Sequence, residues 1–270
     1  MSLAGQPFIQ DKPQRIGLRM RLAHGLARYF PASRHVMRND APLVSITFDD
    51  VPLSAWEVGA RMLEECGWRG TYYIATSLFD QRTPHWQVAG REAVGDLHRR
   101  GHEVGLHSHH HQAARGLNAA AFAAEIALTR RVFAELVPGL RPANFAYPYG
   151  IAGVVQKAVL ARHVRSSRTT DDGVNAGTLD PHFLRTVMLD WSRRDPASLD
   201  AVLAQTVARK GWLILTTHDI ADAPSPYGCT PALLGALLDK VASAGLEVVT
   251  VDAALDRIGL AREPDRQRAP

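Results

Sequence analysis

The sequence predicts an α/β protein with a parallel sheet, at the scale of a single (β/α) barrel of about seven strands. Two observations carry this expectation. From Leu43 onward, short β-branched and apolar runs alternate with helix-like segments, the pattern of successive βα units. The alternation continues to the region of Gly259, a length that suits one barrel better than two domains.

The first strand is read at Val44–Val51, where Val44, Ile46 and Phe48 alternate with Ser45 and Thr47 before Asp49, Asp50 and Pro52. Ser54 to Cys66 reads as a helix stopped by Gly67, and Thr71 to Ile74 as the second strand. After a loop through Thr83 and Pro84, a helix ends at Arg100 and Gly101, and His102 to Leu106 forms the third strand. Ala119 to Leu136 is a long alanine-rich helix stopped by Pro138 and Gly139. Ala143 to Tyr147 is a strand running into the turn Pro148-Tyr149-Gly150. Val154 to Arg162 reads as helical and His163 to Ser167 as extended. Leu184 to Met188, Trp212 to Thr217 and Leu246 to Val251 are three more strands, with helices at Leu199 to Arg209 and Pro231 to Ala244 between them.

Composition narrows the class. The chain has 270 residues, 46% of them hydrophobic and 21% charged, which is ordinary for a globular protein. No apolar run is long enough for a transmembrane helix, and the opening residues lack the basic start and apolar core of a signal peptide. Cys66 and Cys229 make neither a disulfide framework nor a Cys-x-x-Cys metal pair, so a cytoplasmic setting is expected. A net charge of +4 permits an anionic partner without demanding one. No basic patch with interleaved aromatics supports nucleic-acid binding.

Residues 1–41 are set apart as a basic amphipathic extension, in which Ile16, Leu18, Met20, Leu22, Leu26, Tyr29 and Phe30 mingle with Arg15, Arg19, Arg21 and Arg28. Such a helix packs on the main domain or lies peripherally on a membrane or a lipid-linked substrate. The main domain spans 42–260, and 261–270 is a polar tail expected to lack order.

Chemistry concentrates at strand ends. Asp49 and Asp50 close the first strand; taken alone, they read equally as an acidic turn with Asp50 capping the next helix. The third strand runs into His107-Ser108-His109-His110-His111, where His107 and His111 stand four residues apart. Together these pieces make a two-histidine, one-carboxylate metal site with positions left open for water and substrate. Leu213 to Thr217 is an apolar strand ending in His218, a natural general acid beside such a site. Asp190 closes another strand, where it could orient His218, and Trp191 would pack against that ring.

In order, Thr47-Phe48-Asp49-Asp50, His107-Ser108-x-x-His111, Phe145-Ala146-Tyr147-Pro148-Tyr149-Gly150, Asp190-Trp191 and Leu215-Thr216-Thr217-His218 resemble the motifs of the polysaccharide deacetylases, the NodB-homology carbohydrate esterases. The resemblance implies a distorted (β/α) barrel and a divalent metal, usually zinc, with cobalt, nickel or manganese as other candidates. It assigns Asp50, His107 and His111 as ligands, Asp49 as catalytic base and His218 as catalytic acid. Tyr147, Pro148 and Tyr149 would form one wall of the groove, with the Tyr149 N–H facing the oxyanion.

One departure stands out. The family usually has an arginine at the position of Ala146, pairing with the catalytic aspartate, and Arg168 at the next strand end is the candidate replacement. The implied activity is N-deacetylation of a sugar in a polysaccharide, an oligosaccharide or a lipid-linked precursor of an exported polymer. Removal of an acyl or formyl group from a small nucleotide- or lipid-linked amino sugar is the alternative. A catalytically silent sugar-binding module is a third reading.

Overall fold

The computed structural model describes residues 17–190 and 196–262. Trp191 and most of the polar tail lie outside the described residues, as does the start of the basic extension. Helix α1 (Leu18–Tyr29) and strand β1 (His35–Val36) precede β2 (Leu43–Asp49). Then come α2 (Ala60–Glu65), β3 (Thr71–Ile74), α3 (Glu92–Arg99), β4 (Glu103–Leu106), α4 (Ala119–Leu136), β5 (Asn144–Ala146), α5 (Val154–Leu160) and β6 (Ser166–Arg168). β7 (Thr178–Leu179) pairs antiparallel with β1, apart from the main sheet. β8 (Val187–Met188), α6 (Pro196–Ala208), β9 (Trp212–Thr217), α7 (Pro231–Ser243), β10 (Glu247–Val248) and α8 (Val251–Arg257) follow.

The main sheet has the order β6-β5-β4-β3-β2-β9-β8, and every neighbouring pair is parallel. A bridge from Arg168 to Leu184 ties β6 to the segment that continues into β8, so the seven strands curl into a distorted, nearly closed barrel. β10 lies beside the first residues of β2. Because the strands are parallel, their C-terminal ends share one face, and that face collects the reactive side chains.

β2 is the central strand, and all seven of its residues are buried. Its alternation separates two environments. Val44, Ile46 and Phe48 belong to the main apolar core with the helices. Ser45 and Thr47 are satisfied by other buried polar groups: Trp212 Nε1 donates to Ser45 Oγ at 3.0 Å, and the Thr47 and Thr216 hydroxyls lie 2.7 Å apart. A chain of hydroxyls continues to Thr186, also 2.7 Å from Thr216, so no buried hydroxyl in the row lacks a partner.

β3, α4 and β9 match their predicted limits. Two regions differ. The helix expected from Ser54 opens with a π-type turn at Ala55–Gly59 before α2. There a Cβ on Gly59 would stand 2.8 Å from the Phe48 ring, so only glycine allows this approach to β2. The strand expected at Leu246–Val251 is cut short at Val248, because Thr250 caps α8 by accepting from Ala253 N at 3.3 Å. α8 was not foreseen. Its Val251, Ala254, Leu255 and Ile258 pack with Leu43 and Trp212, covering the end of the barrel where β2 and β9 begin.

Candidate active site

Five strand ends supply the site: β2 carries Asp49 and Asp50, β4 leads to His107, β6 ends on Arg168, β8 leads to Asp190, and β9 leads to His218. Asp49, Asp50, His107, His111, Arg168 and Asp190 are all buried, and His218 is half-buried.

Asp50, His107 and His111 offer three ligand atoms that all lie within 4.8 Å of one another. Asp50 Oδ1 is 3.2 Å from His111 Nε2 and 3.6 Å from His107 Nε2, yet it has no hydrogen-bond partner among the described residues. His107 Nδ1 sits 2.9 Å from the Ala146 carbonyl, which can only accept; Nδ1 therefore carries a proton, and Nε2 is the nitrogen that faces Asp50. Burial pushes the His111 imidazole down to about 4, so it is neutral at ordinary pH. For Asp50, burial would raise the carboxyl, but the facing His111, His107 and His218 outweigh it and the pKa is lowered. A buried, unpartnered carboxylate oxygen facing imidazole nitrogens is the donor set that a divalent cation completes. The helical turn that follows has Ser54 at its N-cap, so Asp50 is not that turn's cap.

The turns that carry these groups are strained. Asp50, Val51, Ser108, His111 and Tyr149 all have positive φ, between 47° and 64°. For Val51 in particular, a branched residue, this conformation is costly and must be held by its surroundings. Part of the holding comes from Glu125 on α4, which sequence reasoning missed. Its Oε2 accepts from His109 N at 3.0 Å, His110 N at 2.9 Å and Ser108 Oγ at 3.1 Å, while Oε1 meets His110 Nδ1 at 2.6 Å. One carboxylate thus satisfies the loop between the two candidate ligands. His109 turns outward to Thr76, 2.8 Å away. Neither His109 nor His110 joins the ligand cluster.

Asp49 Oδ1 accepts from Arg168 Nη2 in a buried ion pair. Ala146 and Arg168 are direct register partners across β5 and β6, so the guanidinium reaches Asp49 from one strand further along. Its carbon lies 4.8 Å from the centre of the Tyr73 ring. Tyr73 in turn has room because its partner on β4 is Gly105, where a Cβ would stand 2.5 Å from the ring.

His218 Nδ1 faces the Tyr227 carbonyl at 3.2 Å. The tryptophan ring beside His218 is that of Trp86, 5.4 Å between centroids; Tyr227 is 5.8 Å from it on another side. Asp190 is buried just past the end of β8. Across the site, Tyr149 is exposed, with its ring 4.8 Å from His111. Tyr147 and Pro148 differ from expectation: both are buried. The Tyr147 ring packs on Phe145 and its hydroxyl accepts from Ser167 at 3.3 Å, which gives that side chain to the core and leaves Tyr149 as the exposed side chain of this wall.

The family model described as polysaccharide deacetylase matches residues 37–163, the stretch that holds Asp49, Asp50, His107 and His111. Over residues 37–163, a little under half of its length, the chain is similar to the polysaccharide deacetylase family. That match, with the shared fold, supports a hydrolase acting on amide bonds of acetylated polysaccharides. A search of curated proteins finds no match. Among solved structures, the fold is similar to the chitin deacetylase of the fungal pathogen Colletotrichum lindemuthianum, at TM-score 0.58 and 18% identity over 86% of this chain and 94% of that one. It is also similar to a mutant of the peptidoglycan deacetylase PdaC from Bacillus subtilis, at TM-score 0.54 and 18% identity over 81% and 92%. A third is a mutant family pseudoenzyme with restored enzymatic activity, at TM-score 0.58 and 18% identity over 83% and 71%.

Proposed function

We propose that the chain is a metal-dependent N-deacetylase that removes acetyl groups from sugars of a polysaccharide, an oligosaccharide or a lipid-linked glycan precursor on the cytoplasmic side of a membrane. The observation that carries this reading is the unpartnered Asp50 oxygen facing His107 and His111, one residue from an aspartate held by a buried arginine. A divalent metal, most simply zinc, held by Asp50, His107 and His111 would supply Lewis acidity to the acetamide carbonyl and acidify a neighbouring water.

The remaining steps belong to the chain. Asp49, left free of ligand duty, accepts the water's proton. The Tyr149 N–H meets the developing oxyanion. His218 gives a proton to the departing amine from Nε2, since Nδ1 is turned to the Tyr227 carbonyl. Asp190, buried near the end of β8, steadies His218. Tyr149, Trp86 and Tyr227 flank the sugar.

Arg168 is assigned to hold Asp49 in its working rotamer. Arg168→Ala is expected to lower turnover about 100-fold, the scale of a small misplacement of a reacting group. Adding Ala146→Arg in the same chain should recover much of that loss, because the register places the new side chain beside the old one. Steady-state kinetics decide: an unchanged rate in Arg168→Ala would remove Arg168 from the machinery. Glu125→Gln, which trades an acceptor for a donor facing two backbone N–H groups, should weaken metal binding by about 10- to 100-fold. Competition against a fluorescent zinc chelator measures this, and an affinity unchanged from wild type would make the Glu125 contacts incidental.

The function itself is tested by acetate release from metal-loaded protein against N-acetylated oligosaccharides, lipid-linked and nucleotide sugars, and their N-formyl counterparts, each with an EDTA control. Chelator-sensitive acetate release from a glycan is the expected result. Formate release alone would move the activity to small amino-sugar conjugates, and no release from any substrate would leave a silent binding module.

A further inference from the structure

α1 is docked the wrong way round for a helix that only completes a core. Its polar groups face the barrel. His24 Nε2 lies 2.7 Å from Asp171 Oδ1, Arg28 Nε donates to Asp171 Oδ2 at 2.9 Å, and His24 Nδ1 accepts from Ala152 N at 3.1 Å. The buried Lys157 ammonium donates to the carbonyls of Ala27 at 2.7 Å and Phe30 at 2.9 Å, closing the C-terminal end of the helix, and pairs with Asp180. Among the described side chains of the helix, Ala27 alone is fully buried in the core.

The apolar side is left outside. Leu18, Leu22 and Leu26, spaced four apart, are 73%, 59% and 53% exposed, and Tyr29 and Phe30 continue the stripe at 77% and 60%. Val154 and Val155 of α5 are exposed next to it, and a shallow groove of about 410 Å³ between Ala23, Leu26, Leu117 and these valines extends the surface. A contiguous apolar face of this kind marks a contact surface.

Charge selects the occupant. From residue 17 to 38 the chain has five arginines and no aspartate or glutamate. Arg21, Arg34 and Arg38 are exposed, whereas Arg28 is drawn to Asp171. A second copy would set arginine against arginine across a two-fold axis. An anionic lipid surface satisfies both features, taking the leucines and aromatics into the acyl boundary and the arginines among the headgroups.

We propose that α1, with the exposed end of α5, is a docking surface for an anionic lipid bilayer. The helix is fastened to the loops that leave β5 and β6, at Ala152 and Asp171, three residues past Tyr149 and Arg168 respectively. Seating it on a bilayer therefore holds the catalytic face at the lipid surface, where a lipid-linked glycan is presented. Docking depends on α1 and not on the hydrolytic reading.

Flotation of the full chain with vesicles tests this. Phosphatidylcholine vesicles containing phosphatidylglycerol should carry the protein, and pure phosphatidylcholine vesicles should carry much less. Leu22→Asp/Leu26→Asp and, separately, Arg21→Glu/Arg34→Glu should each reduce binding at least about tenfold. Both pairs lie on the surface, and circular dichroism melting checks that each variant remains folded. Absence of binding to the anionic vesicles overturns the proposal, as does binding unaffected by either folded variant. A concentration-dependent dimer abolished by Leu22→Asp/Leu26→Asp would give the face to a second copy and overturn it too. Acetate release from a soluble oligosaccharide, read in the same preparations, should be unchanged in both variants, so docking and hydrolysis fail or stand separately.

Discussion

Asp50→Ala is expected to strip the protein of its metal and of its acetate-releasing activity together. The side chain contributes the one carboxylate of a three-donor set, and its Oδ1 has no other partner to which the loss could be attributed. Without it, two buried imidazoles remain, one of them held neutral by burial, and neither compensates the charge of a divalent cation. Because a metal held there would make water acidic enough to attack, lowering its pKa to about 7, turnover should fall to background. His107→Ala and His111→Ala should behave alike. Metal content by mass spectrometry of inorganic elements checks the assignment: about one ion per wild-type chain and almost none in the variants. Stoichiometric metal in all three would place the ligands elsewhere.

Asp49→Asn is expected to do the opposite with the metal and nearly the same with the rate. The amide keeps the shape and an oxygen to accept from Arg168, and the three ligand side chains are untouched. Only the capacity to take a proton disappears. General-base removal of this kind costs about 10²- to 10⁴-fold in turnover. Metal content equal to wild type with a rate lowered on that scale separates the two adjacent aspartates by role. A rate close to wild type would take Asp49 out of the proton transfer.

The meeting of Asp49, Asp50, His107 and His218 on one face of the sheet was legible because it depends on order along the chain. Strand-like runs ending in Asp49-Asp50, His107 and His218 put chemistry at strand ends, and parallel strands bring such ends to one face. Arg168 was legible for the same reason, although only the register of β5 against β6 places it next to Ala146. Glu125 was not. It lies well after the histidine tract, on an alanine-rich helix, and nothing local distinguishes it from a solvated helix acid.

Partners of His218 were also hidden. Trp191, expected on the His218 ring, lies outside the described residues, whereas Trp86, whose ring lies beside His218, and the Tyr227 carbonyl at its Nδ1 carry no signal in the sequence order. Both come from loops whose positions depend on how the barrel closes, and a main-chain carbonyl carries no residue-specific signature. Tyr147 was placed by motif on the groove wall, but its ring turned to Phe145. Motif position fixes the backbone path better than it fixes side-chain direction. α8 was concealed by Val-Val-Thr-Val, a β-rich run in which Thr250 nonetheless caps a helix.

The most direct measurement is a zinc titration of metal-free protein, recording acetate release from an N-acetylated oligosaccharide as each increment is added. If Asp50, His107 and His111 form the working site, release starts at background and rises to a plateau at about one equivalent, and a chelator returns it to background. Full activity in the metal-free protein, or a rise of the same size in Asp50→Ala, would contradict that site.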